Sequence, residues 1–176
     1  MKKVIAICGS TRKESVNLSY IQAITNLAGG IFEVSLFDGL ADLPHFNPDN
    51  DIQPAPENVT KFRNALRTAD GILICTPEYA MGVPGTLKNA IDWTVSSCEF
   101  LHKPVALVTA SSQGKKAHLS WLDTLQIIES RITNETQLLI SYAKTKININ
   151  REITDAETLK EVNLLIHAFA ELMNLN

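Results

Sequence analysis

The sequence predicts a doubly wound α/β domain, with a five-stranded parallel sheet in the order 2-1-3-4-5 and helices on both faces. Short, mainly apolar runs recur along the chain, and such runs are typical of strands that helices cover on both sides. Between them lie segments whose apolar residues recur at helical spacing. This alternation favours parallel strands joined by crossover helices. We expect one such domain over residues 1–176.

Each predicted strand is one of the apolar runs. The first, residues 4–8, follows Met1, Lys2 and Lys3, a charged start that a signal peptide shares. Its apolar run is too short for such a peptide, so we assign it as a strand. The other strands are predicted at residues 32–37, 71–75, 104–109 and 137–141.

The predicted helices begin at capping residues or prolines. Asn17 can cap the first helix, Pro56 and Pro84 can start the second and third, and the fifth begins at about Asp155. Residues 38–55 form a connection that is long for this fold, and long connections often form binding surfaces. The residues predicted to face inward are Leu18, Ile21, Ile24 and Ala28 in the first helix, Leu87, Ala90, Ile91 and Val95 in the third, Leu119, Leu122, Leu125, Ile128 and Ile132 in the fourth, and Leu159, Val162, Leu165, Ile166, Phe169 and Leu172 in the fifth.

Charge and cysteine content limit the function classes. Sixteen Lys and Arg residues against 19 Asp and Glu residues give a net charge of −3 without a long run of one sign, so no nucleic-acid partner is expected. The three cysteines are widely spaced and odd in number, which favours a reducing compartment. No apolar stretch approaches the roughly 18 residues of a membrane span. We expect a soluble, cytoplasmic protein with no membrane partner.

Ligands of an open parallel sheet bind beyond the carboxyl ends of the strands near the switch in strand order, here at the loops after strands 1, 3 and 4. Hydroxyls, a guanidinium and the free N–H groups of a helix N-terminus suit a phosphate monoester. The alternative is a solvated turn whose side chains only cap the helix. The first loop supplies Ser10, Thr11, Arg12, Ser15 and Asn17.

Other phosphate motifs fail on their spacing. The dinucleotide pattern GxGxxG needs three glycines and this loop has only Gly9, while Glu14 stands where a Walker loop needs its second glycine. A tyrosine phosphatase loop starting at Cys8 would need an arginine at position 14, but Arg12 comes two residues early. We therefore expect Cys8 to be a buried strand residue.

The loops after strands 3 and 4 can form the other walls of a cleft. Prolines and glycines restrict the loop that follows residue 76, so its backbone can meet the polar edge of a planar ring while Tyr79 or Met81 touches the ring face. Glu78 has no His or second acid nearby in sequence, so solvation or backbone tethering is favoured over general-base catalysis. The loop after strand 4 contributes Ser111, Ser112, Gln113 and Gly114.

The remaining histidines and tryptophans suggest no further site. The histidines lie in different segments without ligand spacing, so no metal site is expected and solvated side chains are the default. Trp93 and Trp121 are expected in the core or in subunit contacts. The four histidines are His45, His102, His118 and His167.

Two motifs resemble those of the NADPH-dependent FMN reductase family, a flavodoxin-like family that includes quinone, azo-dye and chromate reductases. The pattern GSxRxxSxN is met at residues 9–17, and TPEYxxxxPGxLKNAIDW is met at residues 76–93. The resemblance runs nearly end to end. It departs at Ala80, where Asn is frequent, and at Lys115 and Lys116, where glycine is more usual.

The resemblance implies an enzyme that binds FMN and transfers hydride from NADPH to a small acceptor, with no catalytic side chain of its own. It also implies a homodimer or homotetramer, with the loop around Phe46 and Asn47 reaching the neighbour's cleft, or else packed on its own domain. The alternatives are an electron carrier without NAD(P)H oxidase activity and a domain that has lost FMN. The cofactor-binding residues implied are Ser10, Thr11, Arg12, Ser15, Val16, Asn17, Pro77, Glu78, Tyr79, Ala80, Met81, Ser111, Ser112, Gln113 and Gly114.

Overall fold

A computed structural model describes residues 1–175, and it confirms the predicted sheet. The five strands are parallel and lie in the order β2-β1-β3-β4-β5. Every residue of β3 and β4 is buried, because helices pack on both faces of the sheet. The strands are β1 (Lys2–Cys8), β2 (Phe32–Leu36), β3 (Gly71–Thr76), β4 (Val105–Ala110) and β5 (Gln137–Ile140).

Two apolar layers hold the helices to the sheet. One joins α1 and α5 to one face, and the other joins α2, α3 and α4 to the opposite face. The predicted stripe of α5 is confirmed, with Leu159 at its partly buried edge. The helices are α1 (Val16–Leu27), α2 (Glu57–Thr68), α3 (Gly85–Asp92), α4 (Lys115–Ile127) and α5 (Ala156–Asn174).

The start of α1 corrects the sequence prediction. Ser15, not Asn17, is the N-cap, and its Oγ accepts a hydrogen bond from the Asn17 N–H at 3.2 Å. Asn17 lies within the first turn and is only 1% exposed. Its Oδ1 accepts a hydrogen bond from the Cys75 thiol on the neighbouring β3, so the amide joins the helix to the sheet.

Two residues predicted to face inward are exposed. α3 ends at Asp92, so Val95 falls beyond the helix and is 55% exposed. Leu119 is 51% exposed, because α4 turns Ala117 and Trp121 towards the sheet together with Leu125, which was predicted correctly. Ile132 lies past the end of α4. Local spacing alone did not distinguish the buried face of α4 from the one beside it.

The long connection between β2 and α2 is anchored on α3 of its own chain. The Trp93 indole N–H donates to the Pro44 carbonyl at 2.8 Å, and the Phe46 N–H donates to Asn89 Oδ1 at 2.7 Å. The Phe46 ring packs edge-on against Trp93, with ring centres 5.1 Å apart. These contacts lie within one chain, as in the alternative of a loop packed on its own domain. The contact of Phe46 with a neighbouring subunit stays a prediction.

Within residues 1–175, no helix is long and apolar enough to cross a bilayer. The same part of the chain does not bring three potential metal-binding side chains together.

Candidate functional site

A cleft of about 420 Å³ opens beyond the carboxyl ends of β1, β3, β4 and β5. The predicted loops after β1, β3 and β4 do meet there, as the switch in strand order requires. The loop after β5 forms an additional wall that the sequence analysis did not include. The lining residues predicted from sequence are Ser10, Arg12, Ser15, Val16, Asn17, Pro77, Glu78, Tyr79, Ser111 and Ser112.

The loop after β1 forms a wall of the cleft at the N-terminus of α1, and its groups suit an anion. Ser10 and Ser15 are nearly buried, with 7% and 6% of their surface exposed. The ion pairs found within residues 1–175 do not include Arg12, so its guanidinium keeps its charge available. Hydroxyls, a cation and the positive end of a helix together favour a phosphate group.

Gly9 brings this loop against β3. Its N–H donates to the Cys75 carbonyl at 2.8 Å. A Cβ atom at this position would lie 2.4 Å from Thr76 Oγ1 and 2.9 Å from a Leu87 methyl group. Because glycine has no side chain, the start of this loop can approach the end of β3 closely.

The loop after β3 contains a tight two-residue turn. The backbones of Tyr79 and Gly82 exchange hydrogen bonds of 3.0 and 2.9 Å across it. Ala80 and Met81 form its centre with φ values of 49° and 61°, a left-handed conformation that Asn and Gly adopt more readily than Ala or Met. The Tyr79 hydroxyl lies 3.2 Å from Ser10 Oγ, which ties this loop to the loop after β1.

Glu78 tethers the loop after β3 to α4, as the sequence analysis favoured. Its Oε2 accepts the backbone N–H groups of Lys116 at 2.9 Å and Ala117 at 3.0 Å. The Glu78 N–H donates to Ser111 Oγ at 3.2 Å. Gly114 at the N-cap position offers no side chain to the helix, so the Glu78 carboxylate takes the role of a cap.

The loop after β5 supplies the cleft residues that sequence reasoning missed. The N–H of Tyr142 donates to the Ser112 carbonyl, and the N–H of Ala143 donates to the Ser111 carbonyl, both at 3.0 Å. β5 ends on the same edge as β4, and this adjacency was the signal that could have identified the loop. The missed lining residues are Tyr142, Ala143, Lys144 and Thr145.

Several other candidates lie next to the cleft rather than along it. Thr11 faces a neighbouring groove. Met81 is 67% exposed, and Ala80 is also exposed, at the tip of the turn. Gly114 has φ +89°, and a Cβ there would lie 2.9 Å from a Leu139 methyl group. The Gln113 carbonyl accepts the Ser141 hydroxyl at 2.8 Å.

Burial affects the protonation of two side chains, Cys8 at the end of β1 and His118 in α4. Cys8 is a strand residue, as expected, but it is only partly buried. Desolvation raises the pKa of its thiol, which disfavours a nucleophilic thiolate. His118 is buried, not solvated as expected, and contacts Thr109 Oγ1 at 2.8 Å and Gln137 Oε1 at 2.9 Å. Burial lowers the His118 pKa, so the ring is a neutral part of the core.

Comparison with known proteins agrees with this geometry. A quinone reductase of Escherichia coli K12 is 29% identical over 97% of this chain and 95% of its own. An NAD(P)H-dependent FMN reductase of Pseudomonas aeruginosa is 32% identical over 87% of this chain and 85% of its own. The solved structure of FerB, an NAD(P)H:(acceptor) oxidoreductase from Paracoccus denitrificans, superimposes with a TM-score of 0.86 at 26% identity, covering 99% of this chain and 98% of FerB.

The resemblance seen in the two sequence motifs is therefore confirmed. The family model for NADPH-dependent FMN reductases matches residues 2–145. This span contains the loops after β1, β3 and β4. The chain belongs to the NADPH-dependent FMN reductase family.

Proposed function

We propose that this enzyme binds FMN in the cleft and transfers hydride from NADPH, by way of FMN, to a small acceptor such as a quinone, a free flavin, an azo compound or a metal oxyanion. The observation that supports this proposal most directly is the wall of the cleft formed by Ser10, Arg12 and Ser15 at the N-terminus of α1. The names of the relatives, an FMN reductase and a quinone reductase, support the same proposal.

The residues present fit FMN at both ends. The buried hydroxyls suit the terminal phosphate, and so does the Arg12 guanidinium, which has no ion-pair partner among residues 1–175. At the other end, the buried Pro77 and the backbone-paired turn after it offer a rigid edge for a planar ring. The cleft volume of about 420 Å³ lies within the range of small-molecule sites, roughly 300–1,000 Å³.

The side chains of this chain bind and orient rather than react. FMN, when bound, supplies the hydride-accepting and hydride-donating chemistry. Glu78 holds the loop after β3 against α4, and the Tyr79 hydroxyl holds it against Ser10. Tyr79 and Tyr142 also line the cleft and are 48% and 67% exposed.

A flavodoxin-like electron carrier is the alternative. Such carriers are usually strongly acidic, whereas this chain has a net charge of −3. A carrier would bind FMN but would not oxidise NADPH at a steady rate.

The proposal is tested with the purified protein. We expect a yellow protein whose flavin is released as FMN, tighter binding of FMN than of riboflavin by the flavin-free chain, and steady NADPH oxidation with a quinone. Equal affinities for FMN and riboflavin would contradict a phosphate site. Bound FMN without NADPH oxidation would instead favour the carrier.

A further inference from the structure

Two cysteines lie side by side on neighbouring strands, close to the carboxyl ends of β1 and β3. Cys8 in β1 is the register partner of Cys75 in β3. Cys75 belongs to the apolar layer that joins α1 and α5 to the sheet, and Cys8 packs against the same layer, so both side chains lie on one face. Equivalent atoms of neighbouring strands are roughly 4.7–4.9 Å apart. The two thiols therefore form a pair, although the residues are distant in sequence.

Both thiols are held only by weak contacts. The Cys8 thiol donates to the Ser10 carbonyl at 3.3 Å, and the Cys75 thiol donates to Asn17 Oδ1 at 3.4 Å. Thiols are weak hydrogen-bond donors, so little is lost when these contacts break. Desolvation raises the pKa of both thiols, and the neighbouring Cys8 raises that of Cys75 further. Each sulfur therefore carries a proton at neutral pH.

The pair is open to solvent on one side. Cys8 is only partly buried, and it lines a groove of about 240 Å³ between the loops after β1 and β2. Cys75 is fully buried beside it. An ion that enters by this groove would reach Cys8 first and would exchange its water ligands for sulfur. Soft metal ions favour that exchange.

The strand spacing fits a metal ion better than a disulfide bond. Two metal–sulfur bonds of roughly 2.3 Å in line, the zinc–thiolate length, place the sulfur atoms about 4.6 Å apart, close to the spacing of the strands. A disulfide needs Cβ atoms roughly 3.5–4.5 Å apart, so the strands would have to move together. Within residues 1–175, no group of three potential metal-binding side chains is present, so the pair offers two ligands.

We propose that Cys8 and Cys75 bind one Cu(I) ion between β1 and β3. Of the metals that thiolates select, zinc and iron–sulfur clusters need about four ligands, which leaves Cu(I). The site contains no histidine, so it lies outside the spacings from which no metal site was expected. Because it rests on the strand register, it does not depend on FMN.

Binding is an exchange of protons for a metal ion. Both S–H bonds break, two Cu–S bonds form and two protons pass to solvent, while the copper stays Cu(I) and neither sulfur is oxidised. The two thiolates leave one net negative charge at the site. Ser15, the N-cap of α1, has its Oγ 4.0 Å from the Cys8 sulfur, so the positive end of the helix would stabilise that charge.

The test is an anaerobic titration of the purified chain with Cu(I), in competition with the Cu(I) chelator bicinchoninate, and X-ray absorption spectroscopy of the complex. All variants carry Cys98→Ser, because Cys98 is exposed, lies between α3 and β4 and could bind copper by itself. In this background, Cys8→Ala and Cys75→Ala each remove one ligand. Circular dichroism checks their folding, and Cys8→Ala, at the partly buried strand end, decides the result if Cys75→Ala does not fold.

We expect the Cys98→Ser protein to bind one Cu(I) per chain through two sulfur ligands, and to bind Zn²⁺ far more weakly. Each alanine variant should lose Cu(I) affinity by roughly a hundredfold or more, because losing a ligand exceeds the 10- to 100-fold effect of losing an outer-shell partner. The proposal is overturned if the Cys98→Ser protein binds no Cu(I), if folded Cys8→Ala binds it as tightly as its background, or if the spectrum shows only one sulfur ligand. A protein that fails to bind FMN but binds Cu(I) in this way would contradict the proposed function and support the copper site.

Discussion

Arg12 illustrates how one residue can serve a site without being buried. It is exposed, and its cation has no ion-pair partner within residues 1–175. Next to it, Ser10 and Ser15 are held by close packing and by the cap of α1. In the proposed site, the buried hydroxyls would fix the position of the phosphate and the arginine would add the charge.

Replacing Arg12 by Ala should weaken FMN binding by about 1.5–3 kcal/mol, the range for hydrogen bonds to a charged group. Riboflavin carries no phosphate, so its affinity should stay unchanged. Fluorescence titration of the flavin-free protein with both ligands measures the difference. A parallel loss for riboflavin would mean that Arg12 contacts another part of the flavin or that its removal disturbs the loop.

At the scale of elements, the site depends on α4 being capped from another loop. α4 begins at Lys115, directly after Gly114 at the N-cap, and its first turn contains two lysines and no acidic residue. Positive side chains at a helix N-terminus are unfavourable, and the Glu78 carboxylate offsets them while it joins the loops after β3 and β4.

Replacing Glu78 by Ala should lower the free energy of unfolding by about 0.5–2 kcal/mol, the usual effect of losing a helix cap. Glu78→Gln should lose less, because its amide oxygen still accepts hydrogen bonds. Urea unfolding of the flavin-free protein measures both, with Glu161→Ala on the exposed face of α5 as the control. If Glu78→Ala unfolds like the parent, the tether contributes nothing measurable to stability.

Lys115 and Lys116 are exposed at the same helix start, and the Lys116 amine lies 3.6 Å from the sulfur of Met81 at the cleft mouth. We predict that one of them favours NADPH by contacting its 2′-phosphate. An exposed contact of this kind is worth on the order of 1 kcal/mol, so the preference over NADH should be about fivefold. The ratio of kcat/KM for NADPH and NADH in the double alanine variant, at low and high salt, provides the measurement. An unchanged ratio would exclude the lysines as readers of this phosphate.

At the scale of the whole molecule, the prediction of subunit contacts concerns the surface that carries α3 and α4. Trp93 and Trp121 are fully buried, so the predicted subunit contacts would fall to their exposed neighbours. Leu119 and Ile127 are 51% and 83% exposed and lie about two turns apart on α4. They are the large apolar side chains that α4 exposes, so we take them as candidates for a subunit contact.

We predict a homodimer or homotetramer that packs through this surface. In sedimentation velocity at micromolar concentration, the parent should be oligomeric and the variant Leu119→Glu, Ile127→Glu should shift towards the monomer. Leu164→Glu, on α5 and 59% exposed in the parent, should have no such effect. A monomeric parent protein would be the contrary result.

Sequence alone determined the strand order, the location of the cleft and most of the residues that line it. Strands buried on both faces record their burial as local apolar runs, and the loop after β1 carries its hydroxyls and guanidinium within nine consecutive positions. Topology rules then bring such loops to one edge of the sheet. These features depend on short segments, so composition and spacing within a segment were sufficient.

Tertiary structure decided what depends on contacts between distant segments. The tether from Glu78 to Lys116 spans 38 positions, and the loop after β5 enters the cleft only because β5 pairs with β4. Likewise, Leu119 is exposed because packing selected Trp121 for the core. Such choices depend on how whole elements align in space, and a periodic pattern within one element does not contain that information.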